Sequence, residues 1–157
     1  MRVKQTPLTR EGLAKLEDEL EHLRTVRRPQ VARRIQEAKE LASAQNNPEY
    51  DDAKNEQAFV EGRILTLEQL VQNAAIIDEE EAHHANTVQL GSTVAVVNHL
   101  GAQEQYTIVG SAEANPKEGR ISNESPVGRA LLAKRVGEEV SVKVPAGTLR
   151  FTIIGIS

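Results

Sequence analysis

The stretch that decides the fold is Asn47–Ala74, which reads NPEYDDAKNEQAFVEGRILTLEQLVQNA. Asn47 is a good helix N-cap, and Pro48 suits the first helical position because its missing N–H would have no helical partner there. Residues suited to a buried seam then recur at strict three- and four-residue spacing, which predicts a helix with one coiled-coil face. The seam residues are Tyr50, Ala53, Gln57, Val60, Ile64, Leu67, Val71 and Ala74.

A second apolar seam precedes this one in the chain. Thr9 can cap a helix with its hydroxyl, and Pro29 should interrupt that helix because proline removes one helical hydrogen bond. A few polar residues at positions 43–47 join the two helices, so the sequence predicts an antiparallel coiled-coil hairpin. A dimerising coiled coil or a three-helix bundle broken at Pro29 is the alternative. The first seam comprises Leu13, Leu16, Leu20, Leu23, Val31, Ile35 and Ala38.

The composition changes near residue 77. Residues 9–76 contain two of the ten glycines, whereas residues 87–157 contain the other eight and are rich in β-branched side chains. The acidic run 78–81 lies between these parts and is typical of a solvated connector. The sequence therefore predicts two domains in an α+β chain, a coiled-coil hairpin over residues 1–77 and a β-rich domain over residues 78–157.

The second domain is predicted to be a small antiparallel sheet with one short helix. Turn residues at Gly101 and at positions 145–148 each separate two β-rich runs, as in hairpins. Ser125-Pro126 is a helix-start signal, and that helix should continue to Lys134. The predicted strands are 92–98, 103–109, 139–144 and 149–156.

Several function classes are disfavoured by composition. The net charge of −4 argues against bulk binding to naked nucleic acid. The chain has no cysteine, hence no disulfide, thiol nucleophile or cysteine-based zinc site. Neither a signal peptide nor a stretch of about 20 apolar residues is visible, which favours the cytoplasm and no membrane. His83 and His84 are adjacent, so they would point to different sides, and we expect no metal site and no cofactor of the protein's own.

Five arginines occur within eleven residues of the first helix. One interpretation is a solvated helix face whose arginines pair with Glu17, Glu21 and Glu37. The other is a basic patch that contacts the phosphates of a nucleic-acid strand inside a larger complex. This arginine cluster consists of Arg24, Arg27, Arg28, Arg33 and Arg34.

In combination and order, six segments resemble the bacterial Gre factors, transcript-cleavage factors of the GreA type. Together they span nearly the whole chain, and the combination is specific although each piece alone would be weak. The segments are Leu8–Leu16 (LTREGLAKL), Val26–Pro29 (VRRP), Ile35–Glu40 (IQEAKE), Asn47–Gln57 (NPEYDDAKNEQ), Glu61–Ile64 (EGRI) and Ile121–Leu132 (ISNESPVGRALL).

The resemblance implies a partner and a site. Gre factors insert their coiled-coil tip into the secondary channel of bacterial RNA polymerase, next to the 3′ end of the nascent RNA. A C-terminal domain similar to FKBP modules grips the channel rim. The family's grip includes the positions of Ser122, Asn123, Glu124, Ser125 and Pro126, which we call the docking segment. The resemblance also assigns tip or channel positions to Lys39, Asn47, Glu49, Tyr50, Asp51, Asp52 and Lys54.

The chain departs from the family at the tip itself. In the family an Asp and a Glu, three residues apart, help hold a second Mg²⁺ in the polymerase active centre. Ser43 and Asn46 stand at those positions, and their neutral oxygens are poor substitutes because Mg²⁺ prefers charged oxygen ligands. We therefore expect no catalytic residue and no metal site in this chain.

The leading hypothesis is a monomeric accessory factor that binds RNA polymerase but stimulates little or no RNA cleavage. It would act as an inhibitor, a pausing factor or a competitor of active Gre factors. The alternatives are an active cleavage factor in which Glu49 or Asp51 reaches the metal, a peptidyl-prolyl isomerase or chaperone, and a free nucleic-acid binder. Only Tyr106 and Phe151 could line a proline pocket in the second domain.

Overall fold

The computed structural model describes residues 4–41 and 47–157. The first long helix consists of α1 (Arg10–His22), a π-helical turn (Leu23–Arg27) and α2 (Arg28–Leu41). The other helices are α3 (Pro48–Gln72), α4 (Glu79–His84) and α5 (Pro126–Leu131). The strands are β1 (Thr6–Leu8), β2 (Ala74–Ile76), β3 (Thr93–Asn98), β4 (Gln103–Val109), β5 (Arg120–Ser122), β6 (Glu139–Val144) and β7 (Gly147–Ile156), with short 3₁₀ turns at Ser111–Glu113 and Pro116–Glu118.

The described chain packs as two compact units. One is Leu13–Asn73, and the other combines the described residues up to Gly12 with Ala74–Ser157. The start of α1 thus packs with the β-rich part of the chain. The domain boundary between residues 77 and 78 stays a prediction from composition. The α+β class, with a helical hairpin and a β-rich domain, is confirmed.

The hairpin core follows the predicted seams. Leu20, Leu23, Val31 and Ile35 of the first helix form one buried cluster with α3. Their partners on α3 are Ala53, Val60, Ile64 and Leu67. Burying such side chains stabilises by roughly 1.5–3 kcal/mol each, so packing rather than helix propensity holds the hairpin.

The predicted interruption at Pro29 lies one turn earlier. Pro29 is inside α2, and the irregular turn is Leu23–Arg27. The Arg28 N–H donates to the carbonyl of Leu23, five residues back. Proline has no N–H, and its ring crowds the carbonyl four residues before it, so the preceding turn widens into a π-helical one.

The second seam also ends earlier than predicted. Helix α3 stops at Gln72, so Ala74 belongs to strand β2 instead of the helix. Strand β2 pairs in parallel with β1, with Thr6 opposite Ala74. Three-residue strands carry too little alternation to be seen in a sequence, and this small sheet was not predicted.

The main sheet has the order β5-β4-β3-β7-β6. The predicted hairpins are confirmed as the antiparallel pairs β3–β4 and β6–β7, while β5 adds to β4 in parallel. One face of the sheet, with Leu131 of α5, forms the core of this unit. Its fully buried members include Val94, Val96, Ile108 and Ile153.

Two details of the β-rich unit correct the prediction. Helix α5 ends at Leu131 and not at Lys134, because the backbone of Leu132 is already extended with ψ of 138°. Ala133 then adopts a left-handed backbone with φ of 66°. The acidic run 78–81 is exposed, as predicted, but it also begins a helix that was not predicted: Asp78 accepts a hydrogen bond from the Glu81 N–H and caps α4. The unit therefore has two short helices. None of the described helices is long and apolar enough to cross a membrane.

Candidate functional site

Asn47 follows residues 42–46 in the chain and connects the two helices of the hairpin. Its buried side-chain amide donates from Nδ2 to the carbonyl of Ala38 at 3.0 Å. Its Oδ1 accepts from the Tyr50 N–H at 3.2 Å and so caps α3, as the sequence predicted. One side chain thus joins the end of α2 to the start of α3.

The other predicted tip residues lie around this closure. Lys39 lies 5.9 Å from the ring centroid of Tyr50, a cation–π contact between the two helices. Lys54 donates to Gln57 at 3.0 Å on the same helix. Glu49, Asp51 and Asp52 are exposed in the first turns of α3, where their charge complements the helix dipole.

Ser43 and Asn46 lie outside the described residues. Whether they could bind the metal that the resemblance implies is judged from their chemistry: a hydroxyl and a carboxamide each offer an oxygen ligand without charge. These two residues do not fit the role of the family's acidic pair. Within residues 4–41 and 47–157, no three His, Asp or Glu side chains are grouped in a way that could hold a metal ion.

Four members of the arginine cluster form ion pairs with α3. Arg28 binds Glu61 through two hydrogen bonds, Nε to Oε1 at 2.8 Å and Nη2 to Oε2 at 2.7 Å. Arg24 donates to Glu68 at 2.7 Å. Arg27 and Arg34 both contact Glu56, one carboxylate oxygen each. The predicted partners Glu17, Glu21 and Glu37 were wrong for these four arginines, because the carboxylates come from the facing helix.

A fifth cross-hairpin pair lies outside the cluster. Arg63 of α3 binds both oxygens of Glu19 at 2.9 Å. The hydrogen bond from Arg63 lowers the pKa of Glu19 below 4.5, and the one from Arg28 likewise lowers the pKa of Glu61. Arg33 is exposed and has no ion-pair partner among the described residues. The role of the cluster in contacting RNA stays a prediction.

The docking segment leads from β5 into α5. Ser125 caps α5 by accepting from the Gly128 N–H at 3.1 Å, as predicted, and its hydroxyl donates to the Ser122 carbonyl at 2.6 Å. The Asn123 N–H donates to Val109 of the neighbouring strand at 2.9 Å. The segment is therefore held at both ends, while Glu124 and Pro126 remain exposed.

Glu124 is the charged residue of the docking segment. Its carboxylate accepts from Lys4 at 2.7 Å and from the Ser111 hydroxyl at 3.2 Å. The hydrogen bond from Lys4 is the main reason that the pKa of Glu124 lies below its ordinary value of 4.5, with Ser111 next. Neither Lys4 nor Ser111 carried a sequence signal, because both contacts join distant parts of the chain.

A second network that the sequence did not reveal surrounds Glu113. Its carboxylate accepts from the Thr9 N–H at 2.7 Å and from the Thr9 hydroxyl at 2.6 Å. Arg120 donates to the same carboxylate at 3.1 Å. The Thr9 oxygen in turn accepts from the Gly12 N–H at 3.0 Å and caps α1, which confirms the predicted helix start. Glu113 thus fixes the first turn of α1 within its unit.

The described chain combines a helical hairpin with a β-rich domain that carries the capped, exposed docking segment. This is a two-domain α+β protein, as the sequence resemblance implies. Two family models match the chain. "Transcription elongation factor, N-terminal" matches residues 6–76, and "Transcription elongation factor, GreA/GreB, C-term" matches residues 82–157.

Curated relatives agree with this assignment. The chain is 54% identical over 157 residues to "Transcription elongation factor GreA" of Chloroflexus aggregans, covering 99% of each protein. It is 53% identical over 150 residues to the protein of that name from Caldanaerobacter subterraneus subsp. tengcongensis, covering 95% of each. The corresponding values for Bacillus subtilis are 51%, 152 residues and 96%. The chain therefore belongs to the GreA/GreB family of transcription elongation factors.

Among solved structures, the chain is similar to the GreA factor homolog 1 (Gfh1) protein of Thermus thermophilus. The two are 32% identical, and the match covers 98% of this chain and 99% of the other with a TM-score of 0.46.

Proposed function

We propose that this chain binds bacterial RNA polymerase, places the hairpin tip in the secondary channel and regulates elongation with little or no stimulation of RNA cleavage. The observation that carries the proposal is the neutral tip: Ser43 and Asn46 stand where the family has two carboxylates, and Glu49 is the first acid that follows. The chain would be an accessory factor whose effect comes from occupying the channel.

The parts needed for binding support this proposal. The docking segment is capped by Ser125 and exposes Glu124 to a partner. Asn47 ties the two helices together next to the tip, and Lys39 with Tyr50 adds a second contact there. These contacts hold the ends of the two helices together, and they do not depend on metal-binding acids at the tip. The hairpin could therefore still occupy the channel without them.

The size of the expected loss follows from electrostatics. A carboxylate near Mg²⁺ gains about 4 kcal/mol per unit charge pair at 4 Å and an effective dielectric of 20. Each 1.36 kcal/mol of transition-state stabilisation changes a rate about tenfold. Losing both carboxylates is therefore expected to lower cleavage stimulation by at least about a hundredfold.

The experiment is RNA cleavage in backtracked elongation complexes of the cognate polymerase. It compares the wild type with Ser43→Asp/Asn46→Glu, which restores the acidic pair, and with the uncharged control Ser43→Ala/Asn46→Ala. Competition against an active Gre factor is measured in parallel. The proposal expects a wild type that competes without cutting, a control that behaves like it, and an acidic variant that cuts.

Two results would contradict the proposal in different ways. Efficient cleavage by the wild type would show that the tip works without the usual acids, and Glu49, Asp51 and Asp52 would be the residues to replace next. Failure of the wild type to bind the polymerase or to compete would remove the channel-binding role altogether.

A further inference from the structure

The hydroxyls of Ser111 and Ser122 and the side chain of Glu124 form a closed ring of hydrogen bonds. The Glu124 N–H donates to Ser122 Oγ at 3.0 Å, the two serine oxygens lie 2.7 Å apart, and Ser111 Oγ lies 3.2 Å from Glu124 Oε2. The ring therefore includes both the backbone N–H and the carboxylate of Glu124. Only Ser111 lies outside that segment and its flanking strand.

The direction of each bond in the ring follows from the donors available. An ionised carboxylate has no proton to give, so the Ser111 hydroxyl must donate to Glu124. A hydroxyl has one proton, so the Ser122 hydroxyl must donate to Ser111. Ser122 still accepts from the Glu124 N–H with a free lone pair. All three bonds are satisfied together, and each hydroxyl both donates and accepts, which strengthens such chains.

Ser111 is itself held in place by its neighbours. It begins the turn Ser111–Glu113, whose last residue binds Thr9 and Arg120 through its carboxylate. Gly110, just before the turn, lies so close to Pro7 that an added β-carbon would be 2.3 Å from the Pro7 carbonyl oxygen. Contacts on both sides thus fix the backbone that carries the Ser111 hydroxyl.

We propose that Ser111 is a positioning residue for polymerase binding, which presets the Ser122 and Glu124 side chains of the docking segment through this ring. The inference rests on the proposed function, since it assumes that the segment meets the polymerase. Ser111 acts through Ser122 and Glu124 and does not contact the partner. Lys4 binds the other oxygen of Glu124 at 2.7 Å and supports the same orientation.

The physical gain is a smaller entropy loss on binding. Immobilising a flexible side chain at an interface lowers affinity by about twofold to tenfold. A segment whose two side chains are already fixed avoids part of that loss. Removing the Ser111 hydroxyl should therefore weaken binding about threefold to tenfold.

The experiment measures the affinity of the full-length chain for the cognate polymerase. Ser111→Ala is expected to bind about threefold to tenfold more weakly. Ser111→Thr keeps the hydroxyl and should restore binding. Ser141→Ala, which removes an exposed serine hydroxyl on β6, is the matched control and should bind like the wild type. Unfolding midpoints check that all variants are folded.

A second comparison separates positioning from direct contact. In a Ser122→Ala background Ser111 keeps only its bond to Glu124, so Ser111→Ala should cause a smaller loss of affinity there than in the wild type. In the free protein, Ser111→Ala should also speed amide exchange at the Glu124 N–H, which Ser141→Ala should not.

Each contrary outcome has a separate meaning. An equal loss from Ser111→Ala in the wild type and in the Ser122→Ala background would make Ser111 a direct contact and overturn the inference. Unchanged binding or unchanged exchange at Glu124 in Ser111→Ala would overturn it as well. A wild type that does not bind the polymerase would instead overturn the proposed function, and the positioning role with it.

Discussion

Gly128 of α5 packs directly against the carbonyl of Ser122, so that a β-carbon at position 128 would lie 2.0 Å from that oxygen. The Ser122 carbonyl also accepts from the Ser125 hydroxyl. Any side chain at Gly128 would therefore displace the backbone at the start of the docking segment. This close approach explains why the helix that follows the segment has a glycine in its first turn.

Gly128→Ala should destabilise the β-rich unit and disturb the docking segment. Overpacking of this kind costs typically about 1–3 kcal/mol, since a backbone oxygen cannot rotate away as a flexible side chain can. Urea unfolding measures the loss of stability, and polymerase affinity measures the effect on the segment.

Gly62→Ala is the matched control for that substitution. Among the described residues, a β-carbon at Gly62 in α3 would meet no atom within 4 Å apart from its own neighbours and helical backbone. Alanine is the better helix former, so this variant should gain about 0.5–1 kcal/mol. Equal effects of the two substitutions would mean that the contact between Gly128 and Ser122 does not constrain the fold.

Asn47→Ala should open the hairpin next to its tip. The substitution removes an N-cap, worth about 1 kcal/mol, and leaves the Ala38 carbonyl without its donor, which costs about 1–3 kcal/mol when the group is buried. Loss of helical circular dichroism in urea measures the change. Asn47→Asp keeps the acceptor for the Tyr50 N–H but loses the donor to Ala38, so an intermediate stability is expected. An Asp variant as stable as the wild type would show that the bond to Ala38 contributes nothing.

The sequence predicted those parts of the fold and of the candidate site that depend on residues close together in the chain. The seam along α3, the caps at Thr9, Asn47 and Ser125, and the two β-hairpins each follow from residues near one another in the chain. Several of the contacts that were not predicted join segments distant in the chain. The pairing of Thr6 with Ala74, the bonds from Thr9 to Glu113 and the ring through Ser111 are of this kind.

Charge pairing was predicted less well than packing, for a related reason. Arginine side chains are long, and several carboxylates lie within their reach on either helix. Only the register of the two helices decides that Arg28 meets Glu61 and that Arg24 meets Glu68. The spacing of apolar residues shows which side of each helix faces the other, but not how the two helices are shifted along their axes. The sequence analysis therefore favoured acidic partners on the same helix.

The hairpin should lose stability in acid. The pKa of Glu19 and that of Glu61 are both lowered below 4.5 by their arginine partners. A carboxyl whose pKa is depressed by folding contributes stability that is present above its unfolded value and disappears as the pH falls through the folded value. Stability measured by urea unfolding should therefore decrease as the pH is lowered below about 4.5.

Glu19→Gln/Glu61→Gln tests which groups cause that decrease. The stability of the double variant should depend less on pH in this range, because it lacks two carboxyl groups whose protonation favours unfolding. Glu37→Gln/Glu40→Gln, which removes two exposed carboxyls of α2, is the control and should keep the wild-type slope. A decrease of equal steepness in all three proteins would assign the acid sensitivity to other carboxyls.

Tyr106 should titrate at unusually high pH. Burial, followed by its hydrogen bond with Glu104, raises the pKa of Tyr106 to about 12. A group whose neutral form is favoured by folding contributes stability below its unfolded value of about 10 that is lost as the pH rises toward 12. Ultraviolet absorbance titration should show this step, and Tyr106→Phe should remove it. In Glu104→Gln the step should move to lower pH yet stay above 10, because burial is the larger cause; a midpoint at 10 would contradict that order.

Glu56→Gln should raise the affinity of the free protein for single-stranded RNA. Glu56 binds Arg27 and Arg34 together, so its replacement leaves two guanidinium groups available for phosphates. Each additional phosphate contact on a single strand steepens the salt dependence of log K by about 0.7, so a change of about 1.4 is expected. Glu37→Gln alters the net charge equally without releasing an arginine of the cluster, and should change RNA affinity much less. Equal effects of the two substitutions would mean that total charge, and not release of the arginines, controls RNA binding.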